Sequence, residues 1–512
     1  MEIISNKALL LNLRNPNKVT TIIPKSRQIG TNQVMVNWGL DEAQVLKNLQ
    51  IKNIPSPIMG KYDWPGLHRP FDHQKTTSSF LTLNRRAFCL NEQGTGKTGS
   101  VIWAADYLMK LGKIKRVLVI CPLSIMDSAW RADLFKFAMH RTVDIAYGSK
   151  EKRNRIIASD TEFVIINYDG VEIVQDAITN GGFDLIVIDE ANAYKNVQTT
   201  RWKTLNRILK PDTWLWMLTG TPAAQSPVDA YGLAKLVNPN NVPRFFTGFK
   251  DMVMLKITQF KWIVRPNADK IVFEALQPAI RFTKEECLDL PEQIYVTREV
   301  ELTPQQRKYY DLLRKKLVVQ ASGEQITAVN AAVGLSKLLQ ISCGAVYSDT
   351  GETLEFDIKN RYKVLREAID ETQQKILIFV PFKNTIEILY EKLKADGFSS
   401  AIINGDVSAH KRAEIFKAFQ ETSSPRILII QPQAAAHGVT LTAADTVVWW
   451  GPTPSLETYA QANARAHRAG QKHPVTVIRL QGSSAEKHLY KMLDNRIVDH
   501  VKLVDLYKNL LD

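Results

Sequence analysis

The fold is decided by one stretch of sequence, Asn91-Glu92-Gln93-Gly94-Thr95-Gly96-Lys97-Thr98. It follows an apolar run at 87–90, which predicts a buried strand, and it precedes an apolar segment at 101–108, which predicts a helix. A strand, a glycine-rich turn and a helix form the arrangement that a phosphate-binding loop requires. The full consensus begins with glycine, and Asn91 takes that place here. The stretch therefore predicts a nucleotide-binding loop; the alternative is an ordinary strand-to-helix turn that carries a surface lysine.

The residue types in this loop suit a nucleoside triphosphate. Glycines let the backbone curl so that successive N–H groups point at one anion, and the helix N-terminus adds partial positive charge. In such loops the lysine reaches the β- and γ-phosphates, and the hydroxyl that follows binds Mg²⁺. We therefore predict that a nucleotide and Mg²⁺ are held by Gln93, Gly94, Thr95, Gly96, Lys97 and Thr98.

An acidic pair, Asp189 and Glu190, follows a second apolar run at 185–188. A carboxylate at the end of a buried strand can hold Mg²⁺, and the adjacent carboxylate can orient and deprotonate the attacking water. A lone Asp-Glu pair in this position is often only a cap, but here a phosphate loop precedes it at a compatible distance. We predict Asp189 as a metal ligand, together with Thr98, and Glu190 as the general base.

The bulk composition limits the class of protein. A chain of 512 residues is too long for one hydrophobic core, and 45% hydrophobic with 23% charged residues is typical of globular domains. The net charge of +14 favours a polyanionic partner, nucleic acid above all, with simple solubility as the alternative. The four cysteines lie far apart without zinc-site spacing, which indicates a reducing compartment. We expect no signal peptide and no membrane segment.

Apolar runs divide the chain into four parts. Residues 1–60 predict a small accessory module with strands at 8–13 and 33–38 and a helix at 41–49. Continuous apolar strands that alternate with helices indicate a parallel sheet covered on both faces. Residues 61–265 predict one such lobe, with strands at 87–90, 116–121, 163–166, 185–188 and 214–218. Residues 266–340 predict a helical linker. Residues 341–512 predict a second lobe, with strands at 375–380, 400–403, 426–430, 446–450 and 475–478.

Two arginines distinguish the second lobe, which has no phosphate loop of its own. Arg465 and Arg468 are three residues apart, so one helical face can present both. Two guanidinium groups suit the charge that spreads over a γ-phosphate during transfer. The alternative is a surface pair bound to acidic residues or to DNA phosphates.

In their order, these segments resemble the motifs of the Swi/Snf ATPase family of superfamily 2 helicases. The resemblance extends from about Leu67 to Leu480. Gln74 resembles the adenine-reading glutamine, and Gln471 is the family's usual last residue of motif VI, where DEAD-box RNA helicases have arginine. The other matching stretches are 91–98 (motif I), 121–124 with Trp130, 188–196 (motif II), 218–222 (motif III), 282–286 with 290–291 (the linker between lobes), 438–445 (motif V) and 465–471 (motif VI).

The resemblance implies an α/β fold with two tandem RecA-like lobes and ATP between them. Gln74 and Gly438 join the nucleotide-binding residues, and Arg465 and Arg468 join Lys97 and Glu190 as catalytic residues when the lobes close. It also implies contacts with the DNA phosphate backbone, without sequence specificity, from loops that follow the strands. These loops contain Pro122, Ser124, Tyr168, Lys195, Thr221, Phe382, Gly405, Thr440 and Thr442, each of which is individually as well explained as a cap or a packing residue.

Three features depart from the family's pattern. Asn192 stands where most relatives have histidine, and Ala435, Ala436 and His437 replace the glycine-rich opening of motif V. We find no large insertion and no histone-binding module, and this compactness favours the cytoplasm of a prokaryotic cell or of a phage-infected host. Residues 1–60 weakly resemble the accessory domains of annealing helicases.

The sequence therefore predicts a monomeric, ATP-driven translocase on double-stranded DNA. It would remodel branched DNA by branch migration, fork reversal or annealing, or remove bound proteins, in repair, recombination or replication. Three alternatives remain: a strand-separating DNA helicase, an ATP-gated DNA clamp with little turnover, and RNA as the working substrate.

Overall fold

The computed structural model describes residues 1–220, 222–223, 226–258, 262–287, 290–323, 328–347, 353–435 and 439–494. The chain forms two compact units, which we describe separately. The first comprises Met1–Ala223, Pro227–Leu255 and Val264–Cys287, and the second takes the remainder. No helix within the described ranges combines the length and apolar character needed to cross a membrane.

The first unit begins with a four-stranded antiparallel sheet in the order β1-β2-β4-β3. Leu9 and Leu11 on one strand and Val34 and Val36 on another are buried in a small core, because residues two apart lie on the same face of a strand. The elements are β1 (Glu2–Ile4), β2 (Ala8–Asn12), α1 (Asn17–Ile22), β3 (Arg27–Gln28), β4 (Gln33–Asn37) and α2 (Leu40–Asn48).

A seven-stranded sheet forms the centre of the first unit, and all of its pairings are parallel. Its strands are β5 (Arg86–Cys89), β6 (Val117–Cys121), β7 (Val143–Ile145), β8 (Phe163–Asn167), β9 (Leu185–Ile188), β10 (Trp214–Leu218) and β13 (Ala279–Ile280). Between β10 and β13 in the chain, β11 (Met254–Lys256) and β12 (Trp262–Val264) form a separate two-stranded sheet. The strand order is β13-β5-β10-β9-β6-β8-β7. Successive residues of β6 are all fully buried, so both faces of the sheet are covered.

The first unit contains further helices beyond α1 and α2. They are α3 (Ile58–Lys61), α4 (Asp72–Thr82), α5 (Lys97–Lys110), α6 (Ala132–Phe137), α7 (Lys150–Ile157), α8 (Tyr168–Ile173), α9 (Gln175–Asn180), α10 (Thr200–Ile208), α11 (Ala230–Val237), α12 (Phe246–Val253), α13 (Ala268–Ala275) and α14 (Lys284–Cys287). Shorter 3₁₀ turns occur at Leu123–Ile125, Ala191–Tyr194, Pro227–Asp229 and Pro239–Asn241, and a π-helical turn occurs at Met126–Arg131.

The second unit is built on a six-stranded parallel sheet in the order β14-β21-β20-β17-β19-β18. Its strands are β14 (Gln293–Glu299), β17 (Lys375–Phe379), β18 (Ser400–Ile403), β19 (Ile427–Ile430), β20 (Ala444–Trp449) and β21 (Val475–Gln481), and a separate hairpin is formed by β15 (Ala345–Tyr347) and β16 (Thr353–Glu355). Its helices are α15 (Pro304–Gly323), α16 (Ala328–Cys343), α17 (Lys359–Asp370), α18 (Lys383–Ala395), α19 (Ala409–Glu421), α20 (Pro432–Ala435), α21 (Leu456–Asn463) and α22 (Ser484–Asp494).

The predicted fold class, α/β with two tandem RecA-like parallel-sheet lobes, is confirmed, and a small antiparallel sheet lies where the N-terminal accessory module is predicted. The region 266–340 differs from the helical linker that the sequence predicts. It does contain helices, but β13 pairs with β5 in the first unit and β14 pairs with β21 in the second. Both are edge strands: β13 has two residues, and β14 has only exposed and half-buried positions, so neither shows the continuous apolar run of a central strand.

A buried ion pair ties helices α17 and α22 together in the second unit. Nη2 of Arg361 lies 2.8 Å from Oε1 and 2.9 Å from Oε2 of Glu486, and both side chains are almost inaccessible. The carboxylate also accepts the N–H groups of Gly482 (2.8 Å) and Ser483 (3.0 Å), while Arg361 donates to the Trp450 carbonyl. Each charge in this core is therefore compensated by its partner.

We predict that Glu486→Gln lowers the free energy of unfolding of the second unit by about 3–5 kcal/mol, because Arg361 loses its buried counter-charge. Urea unfolding followed by tryptophan fluorescence measures the change. Lys487→Gln is the matched control, since Lys487 forms an exposed pair with Glu299 and its loss should cost less than about 1 kcal/mol. Equal stabilities of the two variants would contradict the prediction.

Candidate active site

The predicted nucleotide residues lie at the carboxyl-terminal edge of the first sheet. β10 lies between β5 and β9, so the three loops that follow these strands start side by side. The loop after β5 is the phosphate loop, Asp189 follows β9, and Gly220 follows β10 closely enough that a Cβ there would lie 3.2 Å from Cγ of Gln93. Open parallel sheets bind ligands at this edge.

The phosphate loop has the curled backbone that the sequence predicts. Gly94 and Gly96 have φ of 86° and 76°, a region that disfavours residues with a Cβ. Lys97 begins α5, and its ammonium donates to the carbonyls of Asn91 (2.9 Å) and Glu92 (3.2 Å) within the loop. The buried Nε2 of Gln93 has no hydrogen-bond partner among the described residues. A curled loop with a buried donor fits a bound phosphate group.

Gln74 contacts this loop from helix α4. Its Oε1 accepts the N–H of Phe71 at 2.9 Å, which caps the helix, and its Nε2 lies 3.4 Å from the carbonyls of both Thr95 and Gly96. The side chain thus connects the start of α4 to the phosphate loop. Recognition of adenine by Gln74 stays a prediction, because both ends of its amide are engaged within the protein.

The acidic pair is held by a network of hydrogen bonds. Oδ2 of Asp189 accepts the indole N–H of Trp130 at 2.9 Å, and Oδ1 accepts the N–H of Glu190 at 3.0 Å. Burial raises the pKa of the Asp189 carboxyl, although the charge of Lys97 and these two hydrogen bonds lower it in part. Glu190 has φ 51° and ψ 57°, in the left-handed region.

The residues present fit Mg²⁺. Thr98 is the second residue of α5, and its hydroxyl and the Asp189 carboxylate are the hard oxygen ligands that this ion prefers. Because Mg²⁺ is usually bound by one or two protein oxygens together with substrate phosphates, two such ligands beside a phosphate loop suffice. The roles of Thr98 and Asp189 as ligands stay predictions.

In the second unit, both predicted arginines contact one carbonyl. Nη1 of Arg465 and Nη1 of Arg468 lie 3.3 and 3.2 Å from the Val439 carbonyl. The prediction that one helical face presents them is wrong, because α21 ends at Asn463 and both lie in the turns that follow. The guanidinium groups nevertheless converge, since the turns fold back onto the segment before β20. Gly438, the neighbouring predicted nucleotide contact, lies outside the described residues.

Gln471 joins the segments that carry these arginines. Its Nε2 donates to the carbonyls of Ala444 (2.9 Å), Ala466 (3.1 Å) and Thr442 (3.2 Å), and it is buried. The glutamine thus links the start of β20 to the turn that contains Arg465. Gln471 resembles the last residue of the family's motif VI, and in the structure it connects neighbouring segments through hydrogen bonds.

The predicted DNA contacts of the first unit have different environments. Pro122 is buried and Ser124 is exposed, while the ammonium of Lys195 pairs with Asp229 at 3.1 Å. The hydroxyl of Tyr168 contacts the Asp189 carbonyl at 2.6 Å, and burial raises its pKa well above the usual value. Thr221 lies outside the described residues. Contact with DNA stays a prediction for each of these residues.

The predicted DNA contacts of the second unit lie in loops around its sheet. Phe382 precedes α18, and the N–H of Gly405 donates to Oε1 of Gln431 at 3.3 Å. Thr440 is exposed, whereas the Thr442 hydroxyl accepts from Nε2 of Gln420 at 2.9 Å. These four contacts also stay predictions.

Two residues with structural roles in the site escape sequence reasoning. Trp130 matches a motif of the family, but its bond to Asp189 joins positions 59 residues apart, and nothing in the sequence links them. Tyr168 has the features of a strand-end loop residue, and its hydroxyl instead reaches the acidic pair. The order of the strands in the folded sheet brings Trp130 and Tyr168 to the acidic pair.

Family models match both halves of the chain. A model described as the SNF2-related domain matches residues 73–344, which is more than half of the chain, and a model described as the helicase conserved C-terminal domain matches 360–470. The two matches occur in the order that the sequence motifs predict.

Curated relatives extend this similarity. An uncharacterized ATP-dependent helicase of Mycoplasma genitalium is 27% identical over 424 residues, which cover 80% of this chain and 39% of the helicase. The chromodomain-helicase-DNA-binding protein 1-like of Danio rerio is 25% identical over 464 residues, covering 85% of this chain and 43% of that protein. The chain thus spans about two fifths of the length of these relatives.

A solved structure, the Sulfolobus solfataricus SWI2/SNF2 ATPase core in complex with dsDNA, is also similar. It is 23% identical with a TM-score of 0.42, and the match covers 84% of this chain and 92% of that one.

We predict that Gly96→Ala weakens ATP binding about 5–30-fold. A Cβ at this position would lie 2.1 Å from Nε2 of Gln74, and φ of 76° is unfavourable for alanine by about 1–2 kcal/mol. The empty loop can relax, and ATP must then restore the strained form, so binding loses roughly that free energy. Titration with a fluorescent ATP analogue measures the affinity.

Gly112→Ala is the matched control for this substitution. Gly112 has a similar φ of 65°, but a Cβ added there would meet no atom within 4 Å, and the residue lies past the far end of α5. We expect this variant to lose stability without a change in nucleotide affinity. A Gly96→Ala protein that binds as tightly as the control would refute the proposed role of the loop.

Proposed function

Since the chain belongs to the SNF2-related family, we propose that it is an ATP hydrolase stimulated by nucleic acid that translocates on double-stranded DNA. One observation supports the proposal above the others: the phosphate loop after β5 and the acidic pair after β9 flank the same strand of one sheet. Phosphoryl transfer to water needs the groups that these two loops contain, namely phosphate-binding amides, a lysine, metal ligands and a base.

We assign roles to the residues of the first unit on this basis. The loop amides of residues 93–96 and the Lys97 ammonium bind the phosphates, and Gln74 contacts adenine. Thr98 and Asp189 hold Mg²⁺, which neutralises phosphate charge when it is bound. Glu190 orients the attacking water and accepts its proton.

The second unit supplies the arginines. Arg465 and Arg468 already converge on a carbonyl acceptor, and a phosphate oxygen is a stronger acceptor of the same geometry. We propose that they stabilise the charge of the transferred phosphoryl group. Arginines of this kind increase kcat by about 10³–10⁵-fold.

The partner in this proposal is DNA. The net charge of +14 favours a polyanion, and the Danio rerio relative is named as a chromodomain-helicase-DNA-binding protein. Backbone contacts from the loops of both units would hold the duplex without reading its sequence. We further propose that the protein acts as a cytoplasmic monomer with residues 1–60 as an accessory module, and that it remodels branched or protein-bound DNA in repair, recombination or replication.

A second candidate function is strand separation. The Mycoplasma relatives are named as ATP-dependent helicases, which favours this alternative. The two activities differ in whether the strands of a duplex are released, so a single pair of substrates discriminates between them.

We predict that duplex or branched DNA stimulates ATP turnover in a multiple-turnover phosphate-release assay, whereas RNA does not. Glu190→Gln should lower the DNA-stimulated kcat by about 10²–10⁴-fold, because general base catalysis contributes that much, and should leave ATP binding intact. Glu151→Gln, an exposed carboxylate at the start of α7, should change nothing. Negligible turnover with every DNA would favour the ATP-gated clamp, and stimulation by RNA alone would reject DNA as the substrate.

We also predict that the protein displaces the third strand of a DNA triplex in an ATP-dependent reaction, without releasing a strand from a tailed duplex. A motor that moves along intact duplex pushes off the third strand but keeps the two others paired. Gel assays of both substrates, with Lys97→Ala as the variant that should abolish displacement, test this. Release of the strand from the tailed duplex would support the strand-separating alternative.

A further inference from the structure

Glu190 adopts a backbone conformation that needs support. Its φ of 51° and ψ of 57° belong to the left-handed region, which is sterically unfavourable for a residue with a Cβ. Such residues persist only where the surrounding structure holds them, and they occur often at catalytic positions. The conformation sets the direction of the Glu190 side chain at the end of β9.

Tyr168 lies against the peptide that carries this conformation. Its hydroxyl is 2.6 Å from the Asp189 carbonyl and 3.2 Å from the Glu190 carbonyl. A single phenol hydrogen can serve both acceptors in a three-centre hydrogen bond, of which the first branch is the stronger. The two acceptors flank the peptide bond and the Cα of Glu190, so the phenol fixes the rotation of this segment.

The strand order explains how Tyr168 reaches so far. It is the first residue of α8, directly after β8, and β6 separates β8 from β9 in the sheet. Adjacent strands are about 4.8 Å apart, so the side chain and its 2.6 Å hydrogen bond together bridge roughly 10 Å of the sheet edge. A tyrosine is long and rigid enough to do this with only two side-chain torsions.

The tyrosine ring is itself oriented by its neighbours. The guanidinium of Arg201 lies 4.9 Å from the ring centroid, and the ring of Tyr194 meets it edge-on at 5.9 Å. Arg201 is in turn held by Asp169 at 2.8 Å. A cavity of about 360 Å³, lined by Tyr168, Asp169, Thr199 and Arg201 among others, borders the same ring. The hydroxyl contact therefore fixes a ring that is not packed on every side.

We propose that Tyr168 is a positioning residue, whose hydroxyl holds the Asp189–Glu190 backbone so that the Glu190 carboxylate is directed to the attacking water. The proposal rests on the proposed function, in which Glu190 is the base. It assigns the hydroxyl of Tyr168 to catalysis, whereas the sequence alone predicts a contact with DNA. Trp130 complements this role, because it binds the Asp189 side chain and leaves the carbonyl to Tyr168.

The test is the Tyr168→Phe variant, which removes one oxygen and keeps the ring. We expect kcat for ATP hydrolysis to fall about 10–100-fold, a typical loss when a group that orients a catalytic ligand is removed. The KM for ATP and the DNA concentration that gives half-maximal stimulation should not change, because in this proposal the Tyr168 hydroxyl acts on the Asp189–Glu190 backbone and not on either ligand. The matched control is Tyr231→Phe, which removes a hydroxyl that donates to the Arg244 carbonyl at 2.8 Å outside the site. We expect it to retain the wild-type kcat.

Two kinetic results would overturn the proposal. If kcat at saturating DNA is unchanged and more DNA is required for stimulation, Tyr168 is a DNA contact. If both variants lose equal thermal stability and neither loses kcat, the hydroxyl of Tyr168 is only structural.

A crystal structure of Tyr168→Phe gives a readout that does not depend on activity. We expect Glu190 to leave the left-handed region in the variant, and an unchanged backbone would overturn the proposal. If the wild-type protein fails to hydrolyse ATP with every nucleic acid, the proposed function fails, and this structural result still decides whether Tyr168 holds the backbone.

Discussion

The register of the parallel strands in the first unit is the constraint on which the site depends. Leu218 of β10 pairs with Cys89 of β5, and Met217 pairs with Ile188 of β9, so the three strands end at nearly the same level. The ladder continues into the loops, where the Asp189 N–H donates to the Ile120 carbonyl at 2.9 Å. A slip of one residue would turn Asp189 to the other face of the sheet. Close packing on both faces opposes such a slip, because each buried side chain would then meet a differently shaped set of neighbours.

The same strand order assembles the groups that support the acidic pair. The loop after β6 contains Trp130, the loop after β8 begins with Tyr168, and both strands lie on the side of β9 away from the phosphate loop. The opposite side of β9 faces β10 and then β5, whose loop contains Lys97. The acidic pair thus lies between the loop that we propose to bind phosphate and the side chains that contact the pair itself. A rigid scaffold of this kind can maintain a strained residue such as Glu190.

The sequence predicts this scaffold well because its central strands are continuous apolar runs. The prediction of β9 matches its bounds, and those of β5 and β6 agree to within one residue. Edge strands such as β7 and β14 are absent from the prediction because their residues are partly exposed and do not form such runs. The phosphate loop could also be recognised, since its chemistry is local in sequence. The contacts of Trp130 and Tyr168 could not, because they cross strands that are neighbours only in the folded sheet.

The second unit shows how the two arginines that we propose as catalytic are ordered without a helix to present them. Arg465 and Arg468 lie in turns after α21, and their shared acceptor, the Val439 carbonyl, lies in the segment before β20. Gln471 connects that turn to the start of β20, because its Nε2 contacts the carbonyls of Thr442, Ala444 and Ala466. A guanidinium keeps its charge and several donors while it exchanges one oxygen acceptor for another, which lysine does less well. The carbonyl therefore orders both side chains, and a stronger, anionic acceptor can take its place without a change in the charge of either arginine.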